Sequence, residues 1–114
     1  MNRTLHHAHQ PTHQYAIIIP CYNEEKRLPY TDFLHFAQTH PETLLCFVND
    51  GSKDNTVSVL RGMQMQCPEN ICVYSVAQNG GKAEAVRQGM LYVHRHFSVT
   101  MLGFLDADLA TKPE

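Results

Sequence analysis

Four short apolar runs, Tyr15 to Pro20, Leu44 to Asn49, Ile71 to Val76 and Thr100 to Leu105, punctuate the chain and are rich in β-branched or aromatic side chains. Each has the length of a strand. A sheet with one face in water alternates apolar and polar positions, so these continuous runs predict a parallel sheet covered on both faces. Between them the apolar period lengthens to that of a helix. Phe33, Phe36, Ala37 and His40 share a face over Thr31 to His40, and Val57, Leu60, Met63 and Cys67 share one over Asn55 to Cys67, with Asp54 as N-cap. In the third segment Ala83, Val86, Met90, Val93 and Phe97 recur at three- and four-residue steps, while Glu84, Arg87, Gln88 and Arg95 point elsewhere. Strands and helices therefore alternate from strand one to strand four with right-handed crossovers. That order predicts an α/β fold, an open, Rossmann-like parallel sheet in three α/β/α layers with strand order 3-2-1-4.

The turns that end the strands carry the polar chemistry. Pro20-Cys21-Tyr22-Asn23-Glu24 follows strand one, Asn49-Asp50-Gly51-Ser52 strand two, Gln78-Asn79-Gly80-Gly81-Lys82 strand three and Asp106-Ala107-Asp108 strand four. All four clusters fall at strand carboxyl ends, the edge where open α/β sheets bind ligands.

Asp106 and Asp108 stand two apart after a buried run. In extended backbone they face one ligand while Ala107 packs away. Two carboxylates there are costly without a cation between them, and hard oxygen ligands at this spacing suit Mg2+ or Mn2+ bridging a diphosphate. The alternative is a surface turn with an Asp helix cap. Asp50 accepts hydrogen bonds only, so at the sheet edge it can select the ring N–H of uracil or guanine; the alternative is an Asp-Gly β-turn. Gly80 and Gly81 let backbone approach a ligand closely, and Lys82 opens a helix whose first N–H groups favour an anion. No Walker A or G-x-G-x-x-G pattern is present. Tyr22 can stack on a base with Glu24 in reach, whereas Glu25, Lys26 and Arg27 read as a solvated face.

Composition narrows the partners. At 114 residues the chain is one domain's worth, with a net charge of -2 and a pI of about 6.4, so no global basic field gathers nucleic acid. Cys21, Cys46, Cys67 and Cys72 form no C-x-x-C pair and read as free thiols in a reducing compartment; Cys67 and Cys72 are read as structural rather than as a bridge or a metal site. No apolar run approaches the ~20 residues of a membrane helix. Residues 1–14 are polar, with His6, His7, His9 and His13, and are expected to be a flexible extension.

Taken in order, Ile17 to Glu25, Val48 to Thr56, Asn79 to Lys82 and Asp106 to Asp108 resemble the N-terminal half of family-2 inverting glycosyltransferases of the GT-A fold. The similarity spans nearly all of Tyr15 to Glu114. Asn49 to Thr56 and the Asp-Ala-Asp ending are most similar to dolichyl- or polyprenyl-phosphate sugar synthases. Cys21 departs from the usual Ala or Val, and Ala83 from a second Gly after the Lys.

The resemblance implies a UDP- or GDP-linked sugar donor at Pro20, Tyr22, Asn23, Glu24, Asp50, Lys82, Asp106 and Ala107, with Asp108 and Asp106 on the metal. It implies inverting transfer to an acceptor such as a polyprenyl phosphate, at the cytoplasmic face of a membrane in a longer protein. Only six residues follow Asp108, so residues 15–114 are expected to be the donor-binding part, with the general base beyond Glu114 and the catalytic residue unidentified. Strand four would then be exposed, and self-association is expected. Two rivals are a nucleotide-binding regulatory module without transfer and a phosphatase of the haloacid-dehalogenase type, whose fifth motif position is Thr or Val where Ala110 stands here.

Overall fold

The computed structural model describes residues 12–107. The strands are β1 (Tyr15–Cys21), β2 (Thr43–Asp50), β3 (Ile71–Val76) and β4 (Met101–Phe104), and the helices are α1 (Tyr30–Thr39), α2 (Thr56–Gln66) and α3 (Lys82–His96). All strand pairs are parallel, and the order is β3-β2-β1-β4, as expected.

Side chains alternate across the sheet to build two cores. Ile19, Cys21, Leu45, Phe47, Ile71 and Val73 face α1 and α2, where Phe33, Ala37, Leu60 and Met63 meet them. Ala16, Ile18, Leu44, Cys46, Val48 and Cys72 face α3, through Ala85 and Val93. Three layers result. Every residue of β2 is buried, because this strand has a neighbour on each edge and helices on each face.

Two strands run further at their carboxyl ends than the apolar pattern suggested, whereas β4 stops at Phe104, one residue short of the expected Leu105. Cys21 extends β1 and Asp50 extends β2, where Asn49 and Asp50 still pair with Ser75 and Val76. Pro20 is tolerated inside β1 for a reason that the register supplies. Ile18 gives its carbonyl to the Leu105 amide, so Pro20, two residues on, faces the side where β4 has already ended.

α3 seats on the sheet through a different stripe from the one expected. Its buried residues are Ala85, Gly89 and Val93, while Ala83 is exposed and Val86 and Met90 are only half-buried. Small residues let the helix axis approach closely: a Cβ on Gly89 would lie 2.6 Å from Ile18 Cγ2 and 2.7 Å from Val48 Cγ2.

The four cysteines are free and buried. Cys67 belongs to the α1/α2 core and Cys72 to the α3 core, so the two point to opposite faces of the sheet. The true neighbour of Cys72 is Cys46, its register partner across β2 and β3. The Cys72 thiol, and then burial, push the Cys46 thiol up, which keeps it protonated.

Three residues at the inner end of the extension expected over residues 1–14 are tied to the domain. The Thr12 amide donates to the Ser98 carbonyl (2.8 Å), His13 Nε2 lies 2.7 Å from the Glu69 carbonyl, and the Gln14 amide donates to Glu42 (2.9 Å). Met1 to Pro11 fall outside the described residues.

Candidate donor-binding site

At the carboxyl edge of the sheet the turns after β1, β2, β3 and β4 enclose a cleft of about 310 Å³. Its walls include Pro20, Tyr22, Glu24, Asp50, Lys82, Asp106 and Ala107, all expected at the site, together with Cys21, Asn79 and Gly81. The order β3-β2-β1-β4 produces this convergence, because it sets the ends of β2 and β4 on either side of β1. Asn23 does not line the cleft, and Asp108 lies outside the described residues.

Asp50 ends the fully buried β2 and is 3% exposed. Removing a carboxylate from water requires replacement hydrogen bonds, and the loop after β3 supplies them. Gly80 N–H donates to Asp50 Oδ1 at 3.0 Å, while Gly81 N–H (3.1 Å) and Asn79 Nδ2 (3.0 Å) donate to Oδ2. A carboxylate has about four acceptor positions, so capacity for one further donor remains.

Lys82, the first residue of α3, reaches across the cleft to Asp106, with Nζ 2.6 Å from Oδ1. Both side chains keep contact with water, so the pair adds little stability. It does put one cation and one carboxylate side by side in the cleft. Tyr22 is 39% exposed at the rim. The Cys21 thiol is buried and bonds to the Ile19 carbonyl; burial first, and then the Glu24 charge, push its pKa up, so it is no nucleophile.

Asn23 and Glu25 tie the turn after β1 to the turn after β2. Asn23 adopts a left-handed backbone (φ 53°), its N–H donates to Ser52 Oγ (3.0 Å), and its Oδ1 accepts from the Lys53 amide (2.8 Å). The Glu24 amide donates to Thr56 Oγ1 (2.8 Å). Glu25, expected only as part of a solvated face, also makes bonds there: its carboxylate accepts from the Asn55 amide (3.2 Å) and from Asn55 Nδ2 (3.4 Å). Asp54 completes this latch between the turns after β1 and β2. Its Oδ2 accepts from the Glu25 amide (3.3 Å) and its Oδ1 from the Thr56 amide (2.9 Å) and hydroxyl. Asp54 thus serves the first amide of α2 from one residue before the N-cap, which is Asn55.

The latch has a pH signature. The Thr56 hydroxyl, ahead of the Thr56 and Glu25 amides, holds the Asp54 carboxyl below its ordinary value. A depressed carboxyl contributes stability above its unfolded pKa and loses it as pH falls through the folded one. The Glu25 and Thr56 amide resonances should therefore titrate together, with a midpoint below the ~3.9 of a free Asp. A shared midpoint at or above that value would contradict the latch.

Among the described residues no group of three or more His, Cys, Asp or Glu is placed to hold a metal. Asp106 is the one residue of the expected metal pair that is described.

The chain matches Glycosyl transferase family 2 over residues 16–114. It belongs to that family. The dolichyl-phosphate beta-glucosyltransferase of Mus musculus is 37% identical over 111 residues, covering 90% of this chain and 33% of the mouse protein. The enzyme of the same name from Drosophila melanogaster is 38% identical, again over 90% of this chain and 33% of the relative. The family-2 chain thus spans about a third of the length of these curated relatives.

Solved structures agree on the fold. A structure of S. aureus TarS 1-349 superposes with a TM-score of 0.65 at 22% identity, over 83% of this chain and 27% of that chain. The mannosyltransferase PcManGT from Pyrobaculum calidifontis, solved with GDP-Man and Mn2+, does so with a TM-score of 0.59 at 20% identity, over 88% of this chain and 28% of that chain. Another TarS structure contains UDP-GlcNAc. Membership of family 2 displaces the phosphatase alternative.

Proposed function

We propose that the cleft binds the nucleoside diphosphate of a sugar donor, and that the protein containing it transfers the sugar, with inversion, to a phosphate oxygen of a polyprenyl phosphate. The observation that carries the proposal is the gathering of Asp50, Lys82 and Asp106 around one cleft in a family-2 chain. The relatives named for dolichyl phosphate support the acceptor class. They also support a place at a membrane, and we assign the cleft to its cytoplasmic face; no described helix is long and apolar enough to cross one.

The acceptor oxygen attacks the anomeric carbon from one side while the bond to the diphosphate breaks on the other. A phosphate acceptor is already ionised, so little deprotonation is needed. Negative charge grows on the leaving diphosphate, and Lys82 is placed to stabilise it. Tyr22 stacks on the base at the rim, and Asp50 accepts its ring N–H. Asp106 suits Mg2+ or Mn2+: it is an oxygen donor in the open cleft and already pairs with a cation, the Lys82 ammonium. With Asp108 it would hold the ion, which when bound supplies further neutralisation of the leaving group.

Titration calorimetry with UDP and GDP, each with and without Mn2+ or Mg2+, tests donor binding. Metal-dependent heat with one of them is expected, together with negligible transfer to polyprenyl phosphate by the 114-residue chain alone. No metal-dependent heat with either nucleotide would overturn the proposal.

β4 supports a second property. Met101 and Phe104 are each 60% exposed and Leu102 is 40% exposed on an edge strand. No charged residue lies between Ser98 and Leu105, so two copies paired edge to edge meet no like charges. The chain should self-associate through β4, and sedimentation velocity should show a concentration-dependent dimer. A monomeric profile at high concentration is the contrary result.

A further inference from the structure

We infer that Asn79, to which no role attaches from the sequence motifs, is a positioning residue that sets the place of Lys82 by holding the glycine loop against Asp50. Its Nδ2 donates twice to the same residue, to the Asp50 main-chain carbonyl at 3.1 Å and to Oδ2 at 3.0 Å. The next two residues, Gly80 and Gly81, give their amides to the same carboxylate. The Gly81 carbonyl then accepts from the Ala85 amide (2.9 Å) to start α3, and Lys82, one residue further, pairs with Asp106. A loop held at three consecutive residues fixes the first turn of α3. Of these three donors only the Asn79 amide is a side chain. It adds a bond to the backbone of β2 that the two glycines do not make, so it anchors the loop to the strand as well as to the carboxylate.

This role rests on the donor-binding proposal for its functional consequence but not for its structural one, and the test separates the two. Amide exchange followed by NMR on the nucleotide-free chain is the first measurement. Asn79→Ala should speed exchange of the Gly80 and Gly81 amides by about tenfold, the loss of one charge-assisted bond, and shift the Lys82 side-chain signal. The Phe47 and Val73 amides, in the centre of the sheet, should keep their protection. Unchanged exchange at both glycines, or a loss of protection spread through β2 and β3, would overturn the inference.

The second measurement is a double-mutant cycle on UDP and GDP affinity. Asn79→Ala should weaken the nucleotide that binds by roughly three- to tenfold, and in an Asp50→Asn background its penalty should be clearly smaller, because that change already breaks the carboxylate contact and leaves only the main-chain bond to lose. Fully additive penalties would make Asn79 a direct ligand contact and overturn the positioning role. If wild-type chain binds neither nucleotide, the donor proposal falls and the exchange measurement alone decides the inference. It decides alone also if Asp50→Asn does not fold.

Discussion

Asp50→Ala should lower stability by about 3 kcal/mol and abolish nucleotide binding, the largest effect of any single change in the cleft. The truncation leaves the Gly80 and Gly81 amides and Asn79 Nδ2 without their acceptor in one stroke. Hydrogen bonds to an ionised group are worth about 1.5–3 kcal/mol each, and water entering the open cleft restores part of the sum. For a domain of this size the melting temperature should fall by about 10–20 °C. Binding is lost for two reasons: the carboxylate that accepts a base N–H is gone, and the loop that carries Lys82 is released. Asp50→Asn separates these causes, since it keeps one acceptor oxygen but turns an NH2 toward amides that also donate. It should fall between wild type and Ala in stability and bind nucleotide measurably but more weakly than wild type. Thermal melts and calorimetry on the three proteins check the order; an Asp50→Ala protein that melts within about 2 °C of wild type would show that the loop is held by something else.

The architecture was legible because buried parallel strands leave a plain trace. β3 runs from Ile71 to Val76 as the apolar pattern says, and β2 is longer than its pattern only by Thr43 and Asp50, polar residues that stay in the ladder. The convergence of the turns followed from strand order alone. Packing at the resolution of single residues was less legible. The large residues Val86 and Met90 suggest the buried stripe of α3, yet the closest approach is made by Ala85 and Gly89, which carry almost no hydrophobic signal. The latch between the first two turns was hidden for a related reason. Glu25 looks solvated along the chain and Asp54 looks like a helix cap alone; only the fold brings the Asn55 amide to Glu25 and the Glu25 amide to Asp54. Asn79 had the one clue that sequence can offer, an Asx residue ahead of two glycines, but its partner is 29 residues away.

Gly51→Ala should destabilise by about 3 kcal/mol or more, although it adds a single methyl group to a surface turn. Two costs combine. The residue sits at φ 67°, a left-handed conformation that costs an L-residue with a Cβ roughly 1–2 kcal/mol. The new Cβ would also fall on the Asn79 backbone nitrogen and lie 2.8 Å from the Gln78 carbonyl carbon and 3.0 Å from Asn79 Cα. All three are backbone atoms of the glycine loop, so no side chain can swing aside. The loop must retreat, and it can do so only by stretching the bonds that Asn79, Gly80 and Gly81 make to Asp50. Lys82 moves with it, so nucleotide affinity should fall together with the melting temperature. Gly51→Asn apportions the two costs, since Asn tolerates the left-handed region but carries the same Cβ. If contact with Asn79 dominates, Asn and Ala will be about equally damaging; if backbone strain dominates, Asn will recover most of the loss. An Ala variant with unchanged melting temperature and affinity would mean that the turns after β2 and β3 do not touch in solution, and the cleft would lose its floor.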